Sequence, residues 1–287
     1  MPSSRRPRAA RSRSSFRHWR TALVVCAFVA AAAVGVGVAV QLPSAGAGTR
    51  ITDGFVAQPP APTQAPSTPS VPPPPPVTPS SPAAPVLTLS GPGPAKGRGT
   101  FAYDERTGGV LGRSGTLRRY RVAVENGSGE EVPAFGDAVQ RALAGPGSWV
   151  DGGKLRLQRV GPGDRYDFTI YLATRDTAGR LCGAGGIDIR VGGVPYTSCR
   201  VPGKVVINLA RWRTSAPHLV AAGMPLDDYR LYVVNHEVGH QLGHRHEGCP
   251  GAGRAAPVMQ QQTLFLKGCR PNPWPYVGGK RYTGPAL

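Results

Sequence analysis

Four of the chain's six histidines fall within eleven residues, His236-Glu237-Val238-Gly239-His240-Gln241-Leu242-Gly243-His244-Arg245-His246. On a helix, residues four apart share a face. The imidazoles of His236 and His240 can therefore meet one ion at about 2.0–2.1 Å each, the ordinary zinc–nitrogen distance. Glu237 then stands beside that ion, where a carboxylate can take the proton of a zinc-bound water. Zinc makes the step feasible by lowering the pKa of the water to about 7. The third ligand must come from beyond the helix. Continued as helix, the chain would carry His246 about 15 Å along the axis from His236, out of reach. Gly243 permits the necessary bend, because glycine adopts positive φ at little cost. With the chain turned back, His246 completes a three-histidine site that leaves a position open for water, as a catalytic zinc requires. His244 is off the ligand spacing and reads as a surface residue, with the alternative that it replaces His246 if the helix ends differently. His218 reads as a loop histidine.

The element that must position these groups is a helix over 225–242. Leu231, Val234, Val238 and Leu242 recur at three- and four-residue steps, and positions 234 and 238 lie roughly opposite 236 and 240. One side can pack into a core while the other shows histidines to a cleft. Pro225 suits the first helical position, and Asp227 and Asp228 complement the positive end of the helix dipole.

The pattern H-E-x-x-H-x-x-G-x-x-H resembles that of the metzincin clan of zinc endopeptidases. Such proteins also carry a methionine in a tight turn beneath the metal, and Pro257-Val258-Met259 follows His246 at a suitable distance. On its own Met259 would be ordinary core filling. The resemblance implies a zincin-like fold, a zinc ion on His236, His240 and His246, Glu237 as catalytic base, and Met259 as the Met-turn residue. It also implies a substrate cleft beside an edge strand, for which 205–209 is the candidate. Glu247, directly after the third histidine, is similar to the astacins. Astacins and serralysins place a metal-binding tyrosine two residues after the methionine, and here that position is Gln261, so no subfamily is matched closely. The chain is also similar to a poorly characterised group of exported actinobacterial proteins with such a domain.

Around this site the pattern predicts an α+β domain over 100–287. Tyr120, Val122 and Val124 alternate with Arg119, Arg121 and Ala123, which argues for a strand over 117–125. Asn126-Gly127 is a turn signal. A helix over 134–143 and strands over 155–160, 167–174 and 205–209 follow. The stretches 187–191 and 194–197 flank Gly192-Gly193 as a hairpin. The last forty residues read as loop, within a loop-rich C-terminal subdomain.

The N-terminal third is different in kind. Residues 1–20 carry seven arginines and no acid, and 21–42 are apolar and uncharged. That run is long enough to cross a hydrocarbon core of about 30 Å, and the arginines would keep the N-terminus cytoplasmic. Ala45-Gly46-Ala47 offers a cleavage site, so the alternatives are a single-pass anchor with the C-terminal domain extracellular and a protein secreted after cleavage near Ala47. Residues 43–99 hold 16 prolines and read as an extended, disordered stalk. The densest basic run is explained by membrane topology, which argues against a nucleic-acid partner. Region 100–287 holds 24 basic and 15 acidic residues, a net +9. That charge suits anionic cell-envelope polymers, but with no single block of basic residues in the region a plain soluble surface is the favoured reading.

Four cysteines follow the apolar run: Cys182, Cys199, Cys249 and Cys269. An even number in an exported domain suggests disulfides. The favoured pairing is local, Cys182–Cys199 and Cys249–Cys269. Zinc ligation by cysteine is disfavoured because no C-x-x-C pair occurs, and Cys26 inside the apolar run reads as inert. The expected function is an exported zinc-dependent peptidase, acting on peptide or protein substrates outside the membrane. A zinc amidase acting on cell-wall peptides, and a non-catalytic zinc-containing envelope binding domain, would share the motifs. Glu237 argues against the second, since a structural site has no use for a base.

Overall fold

The computed structural model describes residues 84–287. The basic tail 1–20, the apolar run 21–42 with Cys26, Ala47 and the proline-rich stretch as far as residue 83 lie outside the described residues. Among the described residues no helix is long and apolar enough to cross a membrane.

In chain order the elements are β1 (Phe101–Tyr103), β2 (Thr116–Glu125), α1 (Val132–Ala144), β3 (Leu155–Arg159), β4 (Phe168–Ala173) and α2 (Arg175–Ala184). A small hairpin follows, β5 (Arg190–Val191) and β6 (Val194–Pro195), and then β7 (Cys199–Val201) and β8 (Lys204–Asn208). Three helices come next, α3 (Leu209–Thr214), α4 (Pro217–Ala221) and α5 (Leu226–Gln241), and a second hairpin, β9 (Tyr276–Val277) and β10 (Lys280–Arg281), ends the series. The domain is α+β, as expected.

The main sheet is mixed, with strand order β1-β2-β4-β8-β7 and β3 also paired to β2. Strand β2 is parallel to β3 and β4, and β4 is parallel to β8. Strands β1 and β7 run antiparallel to their neighbours. Side-chain alternation divides the sheet into two faces. Tyr120, Val122 and Val124 of β2, Phe168, Ile170 and Leu172 of β4, and Val205 and Ile207 of β8 face the larger core, shared with Phe135 and Val139 of α1 and Val234 and Val238 of α5. Val206 points the other way, into a smaller cluster with Ala178 and Cys182 of α2 and Cys199 and Val201 of β7. Helix α5 has ten buried residues rather than one buried stripe.

Three expectations change. The segment 205–209 is not an edge strand: β8 lies between β4 and β7, and β7 is the outer strand of that side. A turn at Pro202-Gly203 folds the three residues of β7 back onto β8, with Gly203 at φ 73°. Pro225 caps α5 rather than opening it. The packed domain also begins before residue 100. The Val86 carbonyl accepts from the Leu226 amide at 2.8 Å, and the Leu89 amide donates to the Arg213 carbonyl at 2.8 Å. Leu89 packs against the large core, so a few well-placed bonds hold a proline- and glycine-rich strap that has no ladder of its own.

Candidate metal centre

The site is built where α5 stops. The Gly243 amide donates to the His240 carbonyl at 3.1 Å and the His244 amide to the Gly239 carbonyl at 3.0 Å. With Gly243 at φ 97° this is the Schellman arrangement that ends a helix through a left-handed glycine. The chain turns back as the spacing requires, and His246 faces the two helix histidines.

One ring nitrogen each from His236, His240 and His246 can be chosen so that all three lie within 4.8 Å of one another. His240 Nε2 and His246 Nε2 are 3.1 Å apart. Around a tetrahedral zinc, nitrogens at about 2.0–2.1 Å are separated by about 3.3 Å, so small side-chain rotations suffice. Backbone carbonyls fix two of the rings. His236 Nδ1 donates to the Val258 carbonyl at 2.8 Å and His240 Nδ1 to the His244 carbonyl at 2.8 Å. With the protons on Nδ1, both Nε2 lone pairs point into the site, the usual support of a metal-binding histidine. Burial, and then neighbouring His240, hold His236 down at about 3, and burial also lowers His240 and His246. The three rings are neutral donors, and the set fits a divalent metal.

Glu237 is 5% exposed, and no hydrogen bond reaches its carboxylate among the described residues. Burial alone raises it to about 8, and a cation held by the rings would oppose that shift. Glu237 and the three histidines line a cleft of about 490 Å³, with Cys199 and Arg200 of β7 on one wall and Gln261 and Leu264 on another. The Arg200 Nε donates to Gln241 Oε1 at 2.8 Å.

Met259 is fully buried, in a turn closed by the Gln260 amide donating to the Pro257 carbonyl at 2.9 Å. The turn lies against α5 at Gly239, where an added Cβ would stand 2.4 Å from Met259 Sδ and 2.7 Å from Trp149 Cζ2. The same turn supplies the Val258 carbonyl to His236, and the Met259 carbonyl accepts from the Glu247 amide at 3.1 Å.

Both disulfides form as paired above. Cys182–Cys199 ties α2 to β7, with Cα atoms 6.1 Å apart. Cys249–Cys269 closes the segment that carries Met259, at 5.9 Å. His244 is exposed and stacks on Trp149, ring centroids 4.4 Å apart, so in this arrangement it supplies its carbonyl to His240 and not its ring to the metal group. His218 is not in a loop. It sits in α4, and its Nε2 lies 2.7 Å from the Gln262 carbonyl, bracing the segment after the Met259 turn.

Several supporting groups were not foreseen. Trp149 donates its indole N–H to the Asn235 carbonyl at 2.8 Å, and Arg281 pairs with Glu247 at 2.9 Å. Only their residue types could have signalled them, since both lie far from the motif in sequence.

No curated protein and no solved structure matches the chain. Residues 88–277, more than half of its length, match the family described as protein of unknown function (DUF3152), and the chain belongs to that family.

Proposed function

We propose that the chain is an exported zinc metallopeptidase of metzincin type. The observation that carries the reading is the convergence of three neutral imidazoles, two from α5 and one from the chain beyond its bend, with the buried Glu237 beside them on an open cleft. A metal held by this group would have three protein ligands from the described residues, whereas structural zinc is usually closed by four. His236, His240 and His246 would hold the ion. When bound, it would polarise the scissile carbonyl and make water acidic enough to attack at neutral pH. Glu237 takes the proton of the attacking water and delivers it to the leaving amine nitrogen. The outer strand β7 flanks the cleft and offers a peptide an edge to lie against, in the place first expected of 205–209. The two disulfides suit an oxidising compartment, in keeping with export by way of residues 21–42, anchored there or released near Ala47.

The test is Glu237→Gln in the full chain, with zinc content and peptide cleavage measured together. Retained zinc with turnover reduced about 10²–10⁴-fold supports the role of base. Near-normal turnover would reject it. Folded proteins, unstructured peptides and peptidoglycan fragments, offered side by side, separate a peptidase from a cell-wall amidase. Chelator-insensitive inactivity toward all three would favour a binding domain.

A further inference from the structure

Helix α5 fixes His236 and His240, but His246 sits on irregular backbone. Its backbone carbonyl is held from the segment 281–287, and the neighbouring Glu247 is held by that segment and by the Met259 turn. The Leu287 amide donates to the His246 carbonyl at 3.2 Å, and the Gly248 amide donates to the Pro285 carbonyl at 2.6 Å. Glu247 and Ala286 form an antiparallel bridge between these two bonds. Gly284 presses closer than any other residue could. A Cβ there would stand 1.9 Å from the Gly248 carbonyl oxygen and 2.8 Å from Pro257 Cγ. The segment is thus wedged between the His246 loop and the turn whose Val258 carbonyl holds His236.

Arg281 adds a second line of support. Its guanidinium pairs with Glu247 at 2.9 Å, both side chains being less than one-fifth exposed. It also lies over the Trp149 ring, 5.0 Å from the centroid. Trp149 in turn stacks on His244, whose carbonyl fixes the tautomer of His240.

We propose that segment 281–287 is a clamp that positions His246, and through Trp149 and His244 also His240, so setting the affinity and residence time of a divalent metal at the three-histidine site. Arg281 and Gly284 are positioning residues and touch no reacting atom. The inference rests on the metal reading of the site and is independent of the peptidase reading. Its physical basis is preorganisation. A ligand on loop backbone must otherwise give up conformational freedom when metal binds, and outer-shell supports of metal ligands typically carry about ten- to a hundredfold in affinity.

The test uses the full chain, with zinc affinity and dissociation rate from chelator competition and the visible spectrum of the cobalt-loaded protein. Gly284→Ala and Arg281→Ala should each weaken zinc about ten- to a hundredfold, speed its release and perturb the cobalt spectrum, with Arg281→Lys restoring part of the loss. Removal of Leu287 alone deletes one bond to the His246 carbonyl with little risk to folding and should also speed release. The thermal midpoint of the metal-free proteins provides the contrast: a merely structural segment would lower it and leave zinc affinity and the cobalt spectrum as in the unaltered chain. Unchanged zinc release after loss of Leu287 and in Gly284→Ala would overturn the clamp. An unaltered chain that binds no zinc would overturn the metal reading itself.

Discussion

The Nδ1 of His236 lies 2.8 Å from the carbonyl oxygen of Val258, so the turn that carries Met259 also sets the tautomer of the first candidate metal ligand. The methionine and the carbonyl act together. Met259 fills the space beneath α5 at Gly239, and that packing holds the turn at the height where its carbonyl reaches the ring.

Met259→Ala should therefore do two things. Removing a fully buried side chain leaves a cavity and destabilises the fold by about 2–4 kcal/mol. The turn then settles toward α5, and zinc binding weakens as the His236 ring loses its fixed orientation. Urea unfolding of the metal-free protein and chelator competition measure the two effects separately. A stability loss with no change in zinc affinity would make Met259 simple core filling.

The assignment of the third ligand is tested by comparing two neighbours. His246 faces the helix histidines, while His244 stacks on Trp149 with its ring. His246→Ala should weaken zinc by more than about a hundredfold, beyond the loss typical of a supporting residue. His244→Ala should keep the stoichiometry, since its ring lies on Trp149 and not on the ion, with at most the about ten- to hundredfold loss of affinity of a supporting residue. The reverse pattern would make His244 the ligand.

The candidate site was legible because its signal is local. Ligand spacing, Gly243 and the apolar positions of α5 all lie within one short run, and helix α5 closely matches the expected 225–242. Strand β2 was equally readable, because Tyr120, Val122 and Val124 face one core. Helix α2 was missed for a physical reason: its buried residues, Thr177, Ala178 and Cys182, are small and weakly apolar. What holds it is tertiary. Glu125 accepts from the Thr174 amide and from the hydroxyls of Thr174 and Thr177 at 2.7–2.8 Å, and Cys182 is bonded to Cys199. The edge strand was misplaced because being an edge is a relation among strands, and the three-residue β7 carries too little pattern to announce itself. The Val258 carbonyl and the 281–287 clamp act largely through backbone atoms, which leave little trace in residue types.

The Cys249–Cys269 bond should stabilise both the fold and the metal centre. It spans 20 residues and encloses the Met259 turn. By chain entropy a loop of that size contributes about 3 kcal/mol. Cys249→Ser with Cys269→Ser should lower the thermal midpoint and hasten zinc loss, because the loop bearing His246 is released at one end. Breaking Cys182–Cys199 in the same way should free α2 from β7 and leave zinc affinity largely intact. Equal effects on zinc release from the two pairs would contradict this division.

Acid sensitivity should arise away from the candidate metal site, at Asp104. Its side chain is 2% exposed, takes Arg106 Nε at 2.9 Å and Arg159 Nη1 at 3.0 Å, and lies against Gly136 of α1. Burial alone would raise its pKa, but the hydrogen bonds and charge of Arg106, with the charge of Arg159, outweigh it and hold the group below its ordinary value. A carboxyl whose pKa is lower folded than unfolded stabilises the fold above the unfolded value, about 3.9. That contribution fades as pH falls through the unfolded pKa and is gone below the folded one. Asp104→Asn should lower stability at pH 7 by about 2 kcal/mol, because the buried Arg159 then faces a neutral amide and keeps only the half-exposed Asp137, 3.6 Å away, as a charged partner. The gap from the unaltered chain should shrink as pH falls below 4. Urea unfolding at pH 7, 5 and 3 measures it, and a gap that stays constant across that range would show that Asp104 acts by shape and not by charge.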